Sequence, residues 1–315
     1  MSTGGGTKAI VAALFANMGI AVTKFVAYLL TSSSSMLAES VHSLADSGNQ
    51  VLLLVGGKRA RKEATPEHPF GYGRARYVYA FLVSIILFSL GGLFALYEAW
   101  HKFQDPHGIE SWKWVPVVVL VAAIAMESFS FRTAVVESNH VRGRLSWTEF
   151  VRRAKSPELP VILLEDLGAL VGLVLALVGV SMTLVTGNGL WDAAGTASIG
   201  VLLILIAIVL GIEVKSLLIG EAATPENVAA VRAALEGTEG VESVIHLRTM
   251  HLGPEEILVA AKIEVSAVET AADVAAEIDA AETAVRAAVP DLRAVIYLEP
   301  DLRRVVDAAV TTPHT

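Results

Sequence analysis

Residues 159–185 read LPVILLEDLGALVGLVLALVGVSMTLV, a run with no basic residue and only two charges, the adjacent carboxylates Glu165 and Asp166. A helix crossing the ~30 Å hydrocarbon core of a bilayer needs about 20 consecutive, mostly apolar residues. A helix apolar all round at that length is a membrane span rather than an amphipathic surface helix. Five further runs read the same way, at about 9–30, 36–56, 77–100, 114–136 and 192–218, making six expected spans. Composition agrees, since 54% of the 315 residues are hydrophobic and the mean hydropathy is +0.58, above what soluble chains carry. Nearly all the charge-poor runs precede residue 218, and the remainder mixes Asp, Glu, Ala and Val as a water-exposed domain does.

The chain has no cysteine, which excludes disulfides, thiolate metal sites and thiol redox chemistry. Its net charge of −8, carried largely by the C-terminal part, argues against nucleic acid as a partner. The first apolar run has no small-residue cleavage site and is expected to be retained as a helix. Loop charges set the orientation. Lys58, Arg59, Arg61, Lys62, Arg74 and Arg76 lie between the second and third runs, and Arg142, Arg144, Arg152, Arg153 and Lys155 between the fourth and fifth. Basic loops stay inside, so both belong to the cytoplasm. The other three connections are poor in basic residues, and Trp100, Trp112, Trp114 and Trp191 fall at the outer boundaries, where amphipathic rings settle. Six spans then place both termini in the cytoplasm, and the expected location is the cell (plasma) membrane.

Ionisable side chains inside a bilayer cost a few kcal/mol each, which makes each of them a functional candidate. The second run carries Glu39, His42 and Asp46. His42 and Asp46 are four apart, so an imidazole and a carboxylate share one helix face, and counting about 1.5 Å per residue puts them near mid-membrane. Glu165 and Asp166 lie ~10 Å in from the cytoplasmic end by the same count. The four can meet at one depth, but Glu165 and Asp166 are about 100° apart on a helix, so one of them is expected to face the site. Imidazole nitrogen with carboxylate oxygens suits Zn²⁺, and a more oxygen-rich shell suits Mn²⁺ or Fe²⁺. Lys24 is a candidate partner for Glu39, and Glu127 a candidate to offset Arg132. Asn17, Asn49 and Gln50 are supporting or packing groups. A His–Asp pair alone is also compatible with a hydrogen bond that fixes helix packing.

Three motifs resemble the cation diffusion facilitator family. Leu37-Ala38-Glu39-Ser40-Val41-His42-Ser43-Leu44-Ala45-Asp46-Ser47 is similar to its second-helix signature, His68-Pro69-Phe70-Gly71-Tyr72-Gly73-Arg74 to the loop before its third helix, and Leu217-Leu218-Ile219-Gly220-Glu221-Ala222 to the junction after its sixth. The resemblance implies a divalent metal transporter with His42 and Asp46 as half of the transport site, completed by Asp166 and Glu165. In many members the fifth helix carries HxxxD, whereas Ile162 stands here in the first position of that motif. Leu164-Glu165-Asp166 and Glu127-Ser128-Phe129-Ser130-Phe131-Arg132 resemble instead the branch related to human zinc transporter 9. His68 is expected in a surface turn built by Pro69, Gly71 and Gly73 rather than in an accessory metal site.

The expected organisation is an all-α transmembrane domain of six helices over 1–218, a cytoplasmic α+β domain over 219–305 and a flexible tail at 306–315. The second domain reads α-β-β-α-β: a helix from Thr224 to about 236, strands at about 241–250 and 256–266, a helix at 270–289 and a strand from Ala294 to Leu298. The family resemblance implies a ferredoxin-like fold that makes a homodimer. Tyr297 and Glu299 stand where regulatory metal ligands would be, so no binuclear regulatory site is expected, with His246 and His251 left as weak candidates. The expected function is export of Zn²⁺ or a similar ion (Mn²⁺, Fe²⁺, Co²⁺) by proton antiport and alternating access, with metal and protons as substrates and no resident cofactor. A membrane-embedded metal enzyme would carry HExxH or a nucleophilic serine elbow, and neither occurs. A metal-sensing scaffold would need no charges buried on two spans.

Overall fold

The computed structural model describes residues 3–106, 108–109, 111–268 and 270–302, so the tail expected at 306–315 lies outside it. Its contacts divide the chain into two units, Met1–Leu218 and Ile219–Thr315.

Long helices dominate the first unit: α1 (Thr3–Thr31), α2 (Ser34–Ala60), α3 (Ala75–Ile86) running through a π-helical segment, Leu87–Leu93, into α4 (Phe94–Gln104), then α5 (Val115–Arg142), α7 (Glu158–Thr186) and α8 (Leu190–Ile219). Among the described residues, four helices are long and apolar enough to cross a membrane: Ala75–Gln104, Val115–Arg142, Glu158–Thr186 and Leu190–Ile219. The six-span expectation therefore rests on four helices by length and apolarity alone. α2 falls short because it spends one face on Glu39, Ser40, His42, Ser43, Asp46, Ser47 and Asn49, and the apolar part described for α1 is Asn17–Thr31.

Met36, Val83, Leu87, Leu120, Val161, Leu173, Val180, Ile199, Leu203 and Leu210 form one buried cluster drawn from every long helix except α1, which adds Ala27. Phe129, Val178, Val185, Val201 and Ile212 point outward instead, as lipid-facing side chains do. Glycines let backbones touch. A Cβ on Gly179 would sit 2.8 Å from the Trp191 carbonyl oxygen, and one on Gly200 would sit 3.0 Å from the Gly92 carbonyl oxygen, so α8 packs on α7 and on the π-helical segment through small residues. α6 (Trp147–Arg153) is a short helix inside the second basic loop. Its start is a capping box in which Ser146 and Glu149 satisfy one another's backbone donors.

The second unit runs α9 (Pro225–Glu236), β1 (Ser243–Gly253), β2 (Glu256–Glu264), α10 (Ala271–Ala288) and β3 (Arg293–Asp301), in the expected α-β-β-α-β order. β1 and β2 form an antiparallel hairpin, and α10 is the crossover that brings β3 parallel to β2, giving the sheet order β1-β2-β3. Central β2 buries Ile257, Val259, Ala261 and Ile263, which alternate along the strand and pack with Val231 and Leu235 of α9, Ala281 and Val285 of α10 and Ile296 of β3.

α10 opens with a capping box between Thr270 and Asp273. Hydrogen bonds from the Thr270 hydroxyl and backbone N–H hold the Asp273 carboxyl below its ordinary pKa. A lowered carboxyl contributes stability above the unfolded-state pKa and loses it as pH falls through the folded one. Thr270→Ala is therefore expected to lower the melting temperature of the full chain at neutral pH and to flatten its acid-induced loss below about pH 4. Circular dichroism melts across that range check both effects.

Candidate metal centre

The site is built on α2. Its first turn is anchored by Asp192 of α8: Oδ2 accepts the Ser34 N–H at 2.8 Å, and Oδ1 accepts the Ser33 hydroxyl at 3.0 Å and the Ser35 N–H at 3.3 Å. From that anchor, Glu39, His42, Asp46 and Asn49 recur at three- and four-residue intervals and share one face. His42 Nδ1 lies 3.5 Å from Asp46 Oδ1, with His42 1% and Asp46 16% exposed. That separation is too long for a good hydrogen bond. Both His42 nitrogens and Asp46 Oδ1 are buried without a hydrogen-bond partner, as are Glu39 Oε1 and Asn49 Oδ1. Each such atom costs about 1–3 kcal/mol when left unsatisfied, so five on one helix face are more than packing alone explains.

The two neighbouring carboxylates of α7 diverge. Glu165 faces α2, where its Oε1 accepts Asn49 Nδ2 at 2.6 Å. Asp166 faces α5, where its Oδ2 accepts the Ser130 hydroxyl at 2.9 Å. Glu127, one turn before Ser130, lines a cavity of about 10 Å³ with Asp46, Ser43, Asn17 and Ile20. It therefore faces Asp46, while Arg132, five residues on, lies about 140° around the helix. Among the described residues, no three His, Asp or Glu side chains converge closely enough to hold a metal ion in this conformation. The structure thus brings His42 and Asp46 together, holds Glu165 one turn further along the same α2 face through Asn49, and holds Asp166 on α5.

Asn49, expected as a supporting or packing group, holds Glu165, and Ser130, which carried no such expectation, holds Asp166. Their signal is positional: Asn49 follows Asp46 by three residues, and Ser130 follows Glu127 by three. Lys24 pairs with Glu39 at 2.9 Å, both fully buried. His68 stacks on Tyr72 with ring centroids 4.5 Å apart, in a turn where Gly71 takes φ +73°, a conformation that favours glycine. In the second unit His251 is buried with Nδ1 3.1 Å from the Gly253 carbonyl, His246 is exposed on β1, and Glu299 pairs with Lys262 at 3.1 Å.

A unit with four helices long and apolar enough to cross a membrane and a buried His–carboxylate face on α2, followed by a small α/β unit, is the architecture of an integral membrane protein with candidate cation ligands among its helices. The chain belongs to the cation efflux family. The family model for the cation efflux transmembrane domain matches residues 10–219, and that for the cation efflux protein cytoplasmic domain matches 223–301. Members are membrane metal transporters and not enzymes. The human protein named proton-coupled zinc antiporter SLC30A9, mitochondrial, is 29% identical over 243 residues, covering 76% of this chain and 43% of that protein. Metal tolerance protein C4 of Arabidopsis thaliana is 27% identical over 82% of this chain and 56% of its own length, and the cation-efflux pump FieF of Pectobacterium atrosepticum is 26% identical over 80% and 79%. The chain thus spans less than half the length of the SLC30A9 protein it matches.

Proposed function

We propose that the chain exports a divalent transition-metal ion, Zn²⁺ first and Mn²⁺, Fe²⁺ or Co²⁺ as alternatives, from the cytoplasm in exchange for protons. The orphaned polar atoms of His42, Asp46, Glu39 and Asn49 on one buried face of α2 carry this reading. His42 and Asp46 bind the ion, and Asp166 or Glu165 completes the shell when α7 and α5 shift against α2, which is one state of an alternating-access cycle. All six long helices span the membrane in this reading, both termini are cytoplasmic, the second unit is ferredoxin-like and joins a homodimer, and the membrane is the plasma membrane. Loop charge supports the orientation and does not distinguish membranes, and the animal relatives carry "mitochondrial" in their names.

Antiport has an energetic reason. Moving an ion outward against a negative interior costs about 2.3 kcal/mol per charge per 100 mV, and protons returning inward offset it. Imidazole and carboxylates bind metal only when deprotonated, so metal and protons compete for the same groups. Full-length protein in vesicles holding a metal-sensitive dye is expected to take up Zn²⁺ when a pH gradient is imposed, and to move protons the opposite way. Zn²⁺ flux that ignores the gradient would sink the antiport reading, and no flux of any of the four ions would sink transport.

A further inference from the structure

Lys24 is a cation fixed inside a protein that binds cations. Its ammonium is 1% exposed and has two described partners, Glu39 Oε2 at 2.9 Å and the Ser43 hydroxyl at 2.8 Å. Ser43 also lines the small cavity shared by Asp46 and Glu127, so a single hydroxyl separates the ammonium from the candidate site. Glu39 is three residues before His42 and lies on the same face of α2, the arrangement of a third ligand. It is fully buried, yet only one of its oxygens is used, since Oε1 has no hydrogen-bond partner. Oε1 instead lies against α7, where a Cβ on Gly172 would stand 3.0 Å away.

A buried ion pair often contributes little net stability, and one placed here needs another reason. We propose that Lys24 is a tethered counter-cation that occupies Glu39 in the metal-free protein, so that Glu39 is a latent metal ligand released only when the incoming ion displaces the ammonium. The inference rests on the transport site proposed above and adds a residue that sets affinity. Lys24 is a positioning residue acting through Glu39. A permanent cation at this place weakens binding of every divalent ion and keeps the site from trapping its cargo, as release on the far side requires. When the ion departs, the ammonium returns to Glu39, and the carboxylate is never buried without a partner.

The test uses purified full-length protein titrated with Zn²⁺ alone, by calorimetry and in vesicles. Lys24→Met keeps the length of the side chain without its charge. It is expected to tighten Zn²⁺ binding by at least tenfold, within the 10–100-fold range that groups supporting a metal site command. It is also expected to slow net transport, because release becomes limiting. Adding Glu39→Gln to Lys24→Met should return the affinity to near that of the unmodified protein. A purely structural pair predicts the opposite, weaker binding or none, so a folded Lys24→Met with unchanged or weaker affinity overturns the proposal. Should that variant fail to fold, the unmodified protein decides: saturating Zn²⁺ is expected to raise labelling of Lys24 by a small membrane-permeant acylating reagent, read by mass spectrometry. Unchanged labelling overturns the proposal. Unmodified protein that binds none of the four ions removes the transport reading itself, whereas intact binding with an unresponsive Lys24 removes only this inference.

Discussion

Asp46→Asn and His42→Ala are each expected to cut Zn²⁺ transport by more than about 100-fold, beyond the 10–100-fold that a supporting group costs a metal site. The two side chains approach to 3.5 Å, and His42 offers two buried nitrogens with no hydrogen-bond partner. Asparagine in place of Asp46 keeps the volume while removing the charge that faces Glu127 and Asp166, so the helices stay packed and the change reports on the ion. Alanine at Asn49 should cost less, because it frees Glu165 without deleting a ligand. Testing Asp166→Ala and Glu165→Ala separately shows which carboxylate of α7 turns to the ion, the one losing more flux being the ligand. In the unmodified protein, Zn²⁺ affinity should fall as pH drops, since a proton on the imidazole occupies the lone pair the metal needs. His42→Ala should flatten that dependence. Equal flux in Asp46→Asn and the unmodified protein, at matched reconstitution, would remove these residues from the site.

The candidate site was partly legible before any coordinates because charges in an apolar run cannot hide. Glu39, His42 and Asp46 stand out at three- and four-residue spacing, and the Lys24–Glu39 pair follows from depth and sign. What α7 does with Glu165 and Asp166 was not legible, because the choice is made by neutral partners, Asn49 on α2 and Ser130 on α5, whose distance in sequence says nothing of their closeness. α6 was missed although Ser146 and Glu149 spell a capping box, since a seven-residue helix has too little periodicity to rise above a basic loop. In the π-helical stretch at Leu87–Leu93, Gly91 and Gly92 lie against Leu203 and Ile204 of α8, a tertiary packing that no local propensity shows. The α-β-β-α-β order of the second unit was readable because strand alternation and helix caps are local signals, while the parallel pairing of β3 with β2 is not.

Asp192→Ala is expected to destabilise the first unit by about 3–5 kcal/mol, a large share of what a domain has. The carboxylate is fully buried and acts as an N-cap supplied from another helix, accepting the Ser34 and Ser35 N–H groups and the Ser33 hydroxyl at the start of α2. Those N–H groups have no partner within their own helix, and in a dry interior each one left open costs about 1–3 kcal/mol. A negative charge at a helix N-terminus is also the sign that its dipole favours. Asp192 is held in turn, its N–H bonded to the Thr183 hydroxyl at 2.9 Å and its carbonyl accepting the Thr196 hydroxyl at 2.9 Å. Removing the carboxylate therefore loosens α2 from α8, while these two backbone bonds remain. Ser33→Ala deletes one donor to Asp192 and the weak cap its hydroxyl gives the Met36 N–H at 3.4 Å and should cost less, and Asp192→Asn, which keeps one acceptor oxygen, should also cost less than Asp192→Ala. Denaturation in mild detergent, followed by the shift of a buried tryptophan-free reporter such as amide exchange over residues 34–37, ranks the three. The cap lies only two helical turns from His42, so an Asp192→Asn protein that still folds should bind Zn²⁺ more weakly than its stability loss alone explains. Equal affinity would mean that α2 holds its metal-facing side chains in place without the anchor from α8.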